Sequence, residues 1–261
     1  MKTNVREKLK NIAAALISFT AFLAFWHFGT DGTELGNFIP GPLPVISTFF
    51  RTFVEPIGGR SILGHMGVSF TRVFTGYAIA AVSGISLGVF MGWNRYAAAV
   101  FRPFYEMMRP IPPIAWIPLA ILWFGVGETP MIFLIFIASF NNITINAYEG
   151  ALSVDKTLMG ASKMLGANNI QTLFTVILPA SVPAIFAGLQ VAVSVAWATV
   201  VAAEMVRSSA GVGWLIINGQ LINNTTQILV GIIAIGIVGF LLAVAMRGLE
   251  EKLCAWNKSS T

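Results

Sequence analysis

Few residues in this chain are of a kind that could do covalent chemistry. Its 261 residues include two histidines, His27 and His65, one cysteine, Cys254, and 11 carboxylates. The run Gly84-Ile85-Ser86-Leu87-Gly88 fits the G-x-S-x-G pattern that presents a nucleophilic serine in some hydrolases. That pattern works on a strand–turn–helix corner with a general base beside it. Here it lies inside a long apolar run, and both histidines fall near span ends, away from a mid-membrane Ser86. Ser86 is therefore read as part of a helix-packing surface. One cysteine excludes an intrachain disulfide and a multi-cysteine metal site. The scattered carboxylates do not form the cluster that an intramembrane enzyme needs. The chain also has no G-x-x-x-x-G-K-[ST] phosphate loop, so it is not expected to hydrolyse ATP itself. No catalytic, cofactor or metal site is expected.

What the sequence does supply is apolar bulk. It is 56% hydrophobic and 10% charged, with a mean hydropathy of +0.78, and apolar runs recur along its length. These features describe an all-α polytopic membrane protein. The net charge of +5 does not imply nucleic acid, because most Lys and Arg stand in short segments beside apolar spans. Lys2, Arg6, Lys8 and Lys10 precede a first apolar run at 12–28. Phe22, Phe25, Trp26 and Phe28 occupy positions where a signal-peptide cleavage site would need small residues, so the run is read as an uncleaved span.

The helices that must do the positioning follow in order, with about six spans expected. After a loop rich in Gly and Pro, Val45, Ile46, Phe49, Phe50, Phe53 and Val54 share one face of a helix too short to cross a bilayer, which suits the interface. Span two, 68–93, carries Gly76, Ala80, Gly84, Gly88 and Gly92 at every fourth position, a groove for another helix. Span three, 105–124, contains Arg109, Pro110, Pro112, Pro113 and Pro118. Each proline removes a backbone donor, so a broken helix facing the bundle interior is expected. Span four, 131–148, holds Asn141, Asn142, Thr144 and Asn146, expected to bond to neighbouring helices. Span five, 176–203, carries Gln190, Ser194, Trp197 and Thr199 and ends at Glu204; Gly211-Val212-Gly213-Trp214 follows. Span six is 228–246. With the N-terminus inside, eleven of sixteen basic residues fall inside, the bias expected of a cytoplasmic side. Arg51, Arg60, Arg72 and Arg207 then fall on or near the outside.

One polar stretch, 153–180, interrupts spans four and five. Leu158, Ala161 and Leu165 share a helix face, with Asp155, Lys156 and Lys163 off it. Gly166 is a C-cap, and Asn168 or Asn169 can cap a second helix leading to Pro179. This stretch resembles the signature loop of ABC importer permeases. There a Glu-Ala-Ala triplet is followed after three residues by Gly, and after nine more by an apolar-x-Leu-Pro run. Here the triplet is Gly160-Ala161-Ser162, followed by Gly166 and then Val176-Ile177-Leu178-Pro179. The spacing is intact, but Gly160 replaces the leading Glu. The run from Arg109 to Leu119, continued by Trp123-Phe124-Gly125-Val126-Gly127-Glu128-Thr129, closely resembles taurine-type permeases. Glu204 followed by Gly211-Val212-Gly213 also fits the family. The resemblance covers roughly Pro40 to the end.

It implies a type I ABC importer permease fold. Its parts would be an N-terminal and interfacial segment 1–64, a five-helix core 65–247 with a coupling loop 153–175, and a cytoplasmic tail 248–261. It implies a second permease copy, as a homodimer, two cytoplasmic ATPase subunits holding ATP and Mg, an extracytoplasmic solute-binding protein, and surrounding lipid, in a bacterial inner membrane with both termini cytoplasmic. Leu158, Met159, Gly160, Ala161, Ser162, Lys163, Leu165 and Gly166 would meet the ATPase. Arg109, Pro112, Pro113, Trp116, Asn141, Asn142, Trp197, Thr199 and Glu204 are the pathway candidates. The implied cargo is a small organic anion, taurine or another sulfonate. Nitrate or bicarbonate, aromatic acids and pyrimidine precursors are the alternatives within the family. A secondary transporter would instead show paired mid-membrane ionisable groups and a repeat between halves. The sequence displays neither, with Glu128 and Glu204 left to be located.

Overall fold

A computed structural model describes residues 5–254, and the regular elements among them are helices. In chain order they are α1 (Val5–Thr30), α2 (Pro42–Arg51), α3 (Ile62–Trp93), α4 (Arg95–Met108), α5 (Ile117–Phe124), α6 (Glu128–Leu152), α7 (Lys156–Met164), α8 (Asn169–Thr172), α9 (Leu178–Arg207), α10 (Val212–Leu221) and α11 (Thr225–Leu253). Five stretches are long and apolar enough to cross a membrane, and a sixth if the bent pair α4 and Pro113–Phe124 counts as one span.

The centre of the bundle is the contact between α3 and α6. Two apolar helices gain nothing by leaving lipid for each other except close packing, so small residues decide where they meet. Gly76, Ala80, Gly84 and Gly88 are buried on one face of α3. Gly76 abuts Ile132 and Ile135, and Gly88 abuts Thr144 and Ala147, so the two helices run parallel. A β-carbon at Gly88 would stand 2.5 Å from the Thr144 carbonyl oxygen. Ser86 points away from this seam and donates to the Val82 carbonyl at 2.7 Å, with no base beside it. α9 runs back along α6, its Gly188 against Asn142 and Asn146. Trp197 of α9 donates its indole N–H to the Ile235 carbonyl of α11 at 3.1 Å.

The spans differ in detail from their expected limits. α3 starts at Ile62 and α11 continues to Leu253, so the expected segment borders at 64/65 and 247/248 both cut through helices. Span three starts ten residues early, at Arg95, under an Asn94 cap that accepts from the amides of Tyr96 and Ala97. It breaks after Met108, turns by 88°, and resumes at Pro113. The break was legible in its prolines, and the amphipathic α4 before it was not. α2 is not merely interfacial. Val45 and Phe49 are buried in a core shared with Val230 and Ala234 of α11, while Phe50 and Val54 stay exposed. α1 packs on the rest only near its C-terminal end, where Trp26 donates to the Pro40 carbonyl at 3.2 Å. α10 lies between spans five and six, where no helix was expected.

Gly88→Val is expected to destabilise the bundle by about 1–3 kcal/mol or prevent its insertion, whereas Ser86→Ala is expected to leave it unchanged. Thermal unfolding of the detergent-purified protein compares the two.

Candidate functional site

The two ends of the bundle carry different polar structures. At one end α7 and α8 project between α6 and α9. Asp155 caps α7, accepting the Thr157 amide at 2.8 Å, and this bond holds its carboxyl below the usual carboxylate range. Gly166 takes a φ of 80°, the left-handed cap, and the Ala167 amide returns to the Ser162 carbonyl at 3.1 Å. Asn168, not Asn169, caps α8, in a reciprocal capping box with Gln171. The hydroxyls of Ser162 and Thr172, both buried, lie 2.8 Å apart and tie α7 to α8. A five-residue π-helical turn, Leu173–Ile177, then leads into α9.

The face of α7 that meets the protein therefore centres on Ser162. The apolar stripe of Leu158, Ala161 and Leu165 is exposed instead. Met164 and Leu165 are 91% and 88% exposed. Lys163 and Gly160 are exposed and Met159 is half-buried. A β-carbon at Gly160 would meet nothing within 4 Å.

At the opposite end, Arg72 of α3 is buried and spans two carboxylates. Its Nε and Nη2 donate to Glu128 at 2.5 and 2.6 Å, and its Nη1 donates to Glu204 at 2.8 Å and to the Ala210 carbonyl at 2.8 Å. Glu204 is fully buried and also accepts from the Ser69 hydroxyl at 2.7 Å and the Gly213 amide at 2.9 Å. Burial of a carboxylate is tolerable only with such pairing. It also explains the two glycines that follow, since a β-carbon at Gly211 would collide with the Glu204 carboxylate and one at Gly213 with its stem. His65 extends the cluster. Its Nδ1 accepts the Gly211 amide at 3.1 Å, which leaves Nε2–H to donate to the Ile57 carbonyl at 2.9 Å. Its ring stacks on Trp214, with centroids 5.2 Å apart.

Two pathway candidates are thereby corrected. Glu204 is sealed inside this cluster, and Trp197 is buried in the α9–α11 core. The ionisable pairing that the sequence hid is Arg72 with Glu128 and Glu204. No spacing rule joins residues 56 and 132 positions apart. An arginine in an apolar run was the available signal. Arg72, expected on or near the outside, lies at the end opposite α7 and is buried there.

Between the ends lies the break in span three. Tyr105 donates to the Asn141 carbonyl at 2.6 Å, near the middle of α6, and Arg109 follows one turn later at the end of α4. Arg109 is exposed and has no ion pair among the described residues. Trp116 and Asn141 border an apolar cavity of about 350 Å³ with Phe104, Met108 and Phe136. Pro113 and Thr199 meet across a groove of about 390 Å³ with Ser194 and Ala198, and Pro112 is exposed beside it. The amides of Asn142 and Asn146 bond not to neighbouring helices but to their own, at the Ala138 and Asn142 carbonyls, 2.9 and 2.8 Å away.

Removing the buried carboxylate with Glu204→Ala leaves Arg72 half-paired and is expected to cost about 3–5 kcal/mol. Glu128→Ala, at the exposed arm, is expected to cost no more than about 1 kcal/mol. Midpoints of thermal unfolding in one detergent separate the two outcomes.

Comparison with known proteins agrees with this architecture. Residues 84–253 match the family model described as binding-protein-dependent transport system inner membrane component. The chain is 38% identical to a putative ABC transporter permease of Methanocaldococcus jannaschii, over 99% of this chain and 96% of that protein. It is 35% identical to the taurine transport system permease protein TauC of Escherichia coli, over 91% and 85%. It is 33% identical to the bicarbonate transport system permease protein CmpB of Synechococcus elongatus, over 91% and 87%. A chain of the MetNI methionine ABC transporter shares the fold with a TM-score of 0.60 at 19% identity, covering 72% of this chain and 91% of that one. The broken third span, the glycine seam and the capped loop thus belong to a multi-pass membrane protein of the binding-protein-dependent transport family, an ABC importer permease with the type I fold.

Proposed function

We propose that α7 is the surface through which a cytoplasmic ATPase drives this permease, and that the cargo is a small organic anion of the sulfonate class. The observation that carries the first part is the exposure of Met164 and Leu165 on a short helix capped at both ends. Apolar side chains on a rigid, polar-flanked helix suit a groove on a partner, and burying each is worth about 1.5–3 kcal/mol. The α7 end then faces the cytoplasm, together with both chain termini. Two copies of the chain would enclose the pathway, with two ATPase subunits below and a solute-binding protein above. Motion of the ATPases would enter at Met164 and Leu165. It would pass through the Ser162–Thr172 contact into the π-turn and on to α9, a rigid-body change between two openings. The missing Glu at Gly160 removes one charge from this contact and leaves the apolar pair in place.

The anion reading rests on Arg109. A charge exposed at the break in a span must face water or protein rather than lipid, and a cation there suits an anionic cargo. The resemblance of residues 109–129 to taurine-type permeases favours a sulfonate within that class. Identity to the named relatives does not rank a sulfonate above bicarbonate, because TauC and CmpB lie within two percentage points of each other.

Leu165→Glu is expected to lower co-purification of the ATPase subunits and solute-stimulated ATP hydrolysis about tenfold or more, with the permease still in the membrane. Unchanged co-purification and hydrolysis would remove α7 from its role. For the cargo, vesicles containing the whole transporter should take up labelled taurine. Excess ethanesulfonate should compete, and nitrate and bicarbonate should not. Arg109→Gln should slow that uptake about tenfold with ATPase co-purification unaltered. Competition by bicarbonate but not by ethanesulfonate would replace the sulfonate reading.

A further inference from the structure

Arg72 holds two carboxylates of unequal standing. Glu204 is locked among Ser69, Gly213 and Arg72 with no access to solvent. The Glu128 side chain is 62% exposed. An open cavity of about 520 Å³ between α3 and the start of α6 is bordered by Arg72, Glu128, Thr71 and Thr75, so this arm of the pair lies at the protein surface. The three groups carry one positive and two negative charges. The buried carboxylate has no other solvation, whereas Glu128 can exchange Arg72 for water at small cost.

The backbone around Glu128 is built to move. Glu128 opens α6 directly after Gly125 and Gly127, whose φ values are 75° and 153°. Nothing within 4 Å packs where their β-carbons would be. On the other side of this turn, α5 is only eight residues long, and beyond it lies the proline break. Ile117 and Ala120 are its buried residues, set against Met131, Leu134 and Ala203. Leu122, Trp123 and Val126 face outward. α5 is thus a short rigid piece between two non-helical joints. The Arg72–Glu128 pair fastens the second joint to α3.

We propose that this pair is a releasable latch of the transport pathway. With the pair made, α5 lies on α6 and closes that end of the pathway. With the pair broken, α5 and the Gly125–Gly127 turn swing outward together while Arg72 stays with Glu204. Arg72 is then a positioning residue for the gate, and Glu128 is the half that moves. The proposal depends on membership of the permease family and not on the cargo or on α7 docking.

The test uses the complete transporter in lipid vesicles, with Cys254→Ser removing the lone thiol. Ala120→Cys reports on α5, because Ala120 is fully buried beneath it. Ala80→Cys, fully buried in the α3–α6 seam, is the control. The rate of reaction with N-ethylmaleimide is followed in each, with and without Glu128→Gln. Glu128→Gln is expected to speed labelling at Ala120→Cys on the order of fivefold and to leave Ala80→Cys unchanged. Glu128→Asp, which keeps the charge, is expected to fall closer to the parent. Unchanged labelling at Ala120→Cys would overturn the latch. So would an equal rise at both positions, which reports general loosening. These rates need no substrate and no ATP, so their failure is distinct from failure of the uptake or ATPase experiments.

Discussion

Everything in this bundle is hung on the parallel contact of α3 with α6. Lipid tails are as apolar as leucine, so helices in a membrane are not driven together by escape from solvent. They meet where backbones can approach, and four small residues on α3 create that approach. Close contact here fixes the relative height of Ser69 and Arg72 on α3 and Glu128 on α6. α9, packed on the other side of α6 through Gly188, then brings Glu204 to the same level. The ion cluster is therefore a consequence of helix register. A one-turn slip of α3 would move Arg72 by about 5.4 Å and strand two carboxylates.

Irregular backbone in this chain is not spread evenly. Besides the connections around Gly32, Gly58–Gly59, Gly211 and Asn223, it occurs at the proline break before Pro113, at Gly125–Gly127, at the cap of α7 and at the π-turn before α9. In hydrocarbon such stretches cost unsatisfied amides and carbonyls unless protein or water covers them. Where they persist, motion or contact is the usual reason. The unbroken helices α3, α6 and α11 form a frame. The joints bound the short pieces α5 and α7–α8, one at each end. This division separates parts that hold register from parts that can move against it.

Local patterns carried much of the fold. Hydrophobic runs marked where the spans lie, because a span must be apolar for a fixed length, but the limits moved by up to ten residues, most at the start of span three. Gly166 announced its own cap, and the prolines announced the break in span three. What stayed hidden was set by pairing over long sequence distances. Nothing local says that Arg72 finds Glu204, that His65 receives the Gly211 amide, or that Trp197 turns into the core. α10 was hidden because it is too short to be a span and starts among Gly211, Val212 and Gly213. The Glu204 carboxylate crowds Gly211, and the Val201 carbonyl and the Glu204 Cβ crowd Gly213, a tertiary fact. The apolar face of α7 was legible as a face but not as an inner or an outer one. Helical periodicity identified a stripe but could not say whether the stripe faces this chain or another.

The same geometry links the two ends of the molecule. α9 runs from the π-turn at Ile177 to Arg207, a length of about 45 Å. Its first turns follow the segment tied to α7 through Ser162 and Thr172, and its last turns carry Glu204. A helix this long, packed on α6, α10 and α11, transmits displacement along its axis better than it bends. Pro183, the one proline inside it past the first turn, lies near the α7 end, so the stretch from there to Glu204 is uninterrupted. A shift delivered at α7 would therefore arrive at Glu204 and act on Arg72. Glu128 is the partner of Arg72 with least to lose, because its side chain is exposed while that of Glu204 is fully buried. The burial difference between two glutamates on one arginine thus determines which of them stays when the frame shifts.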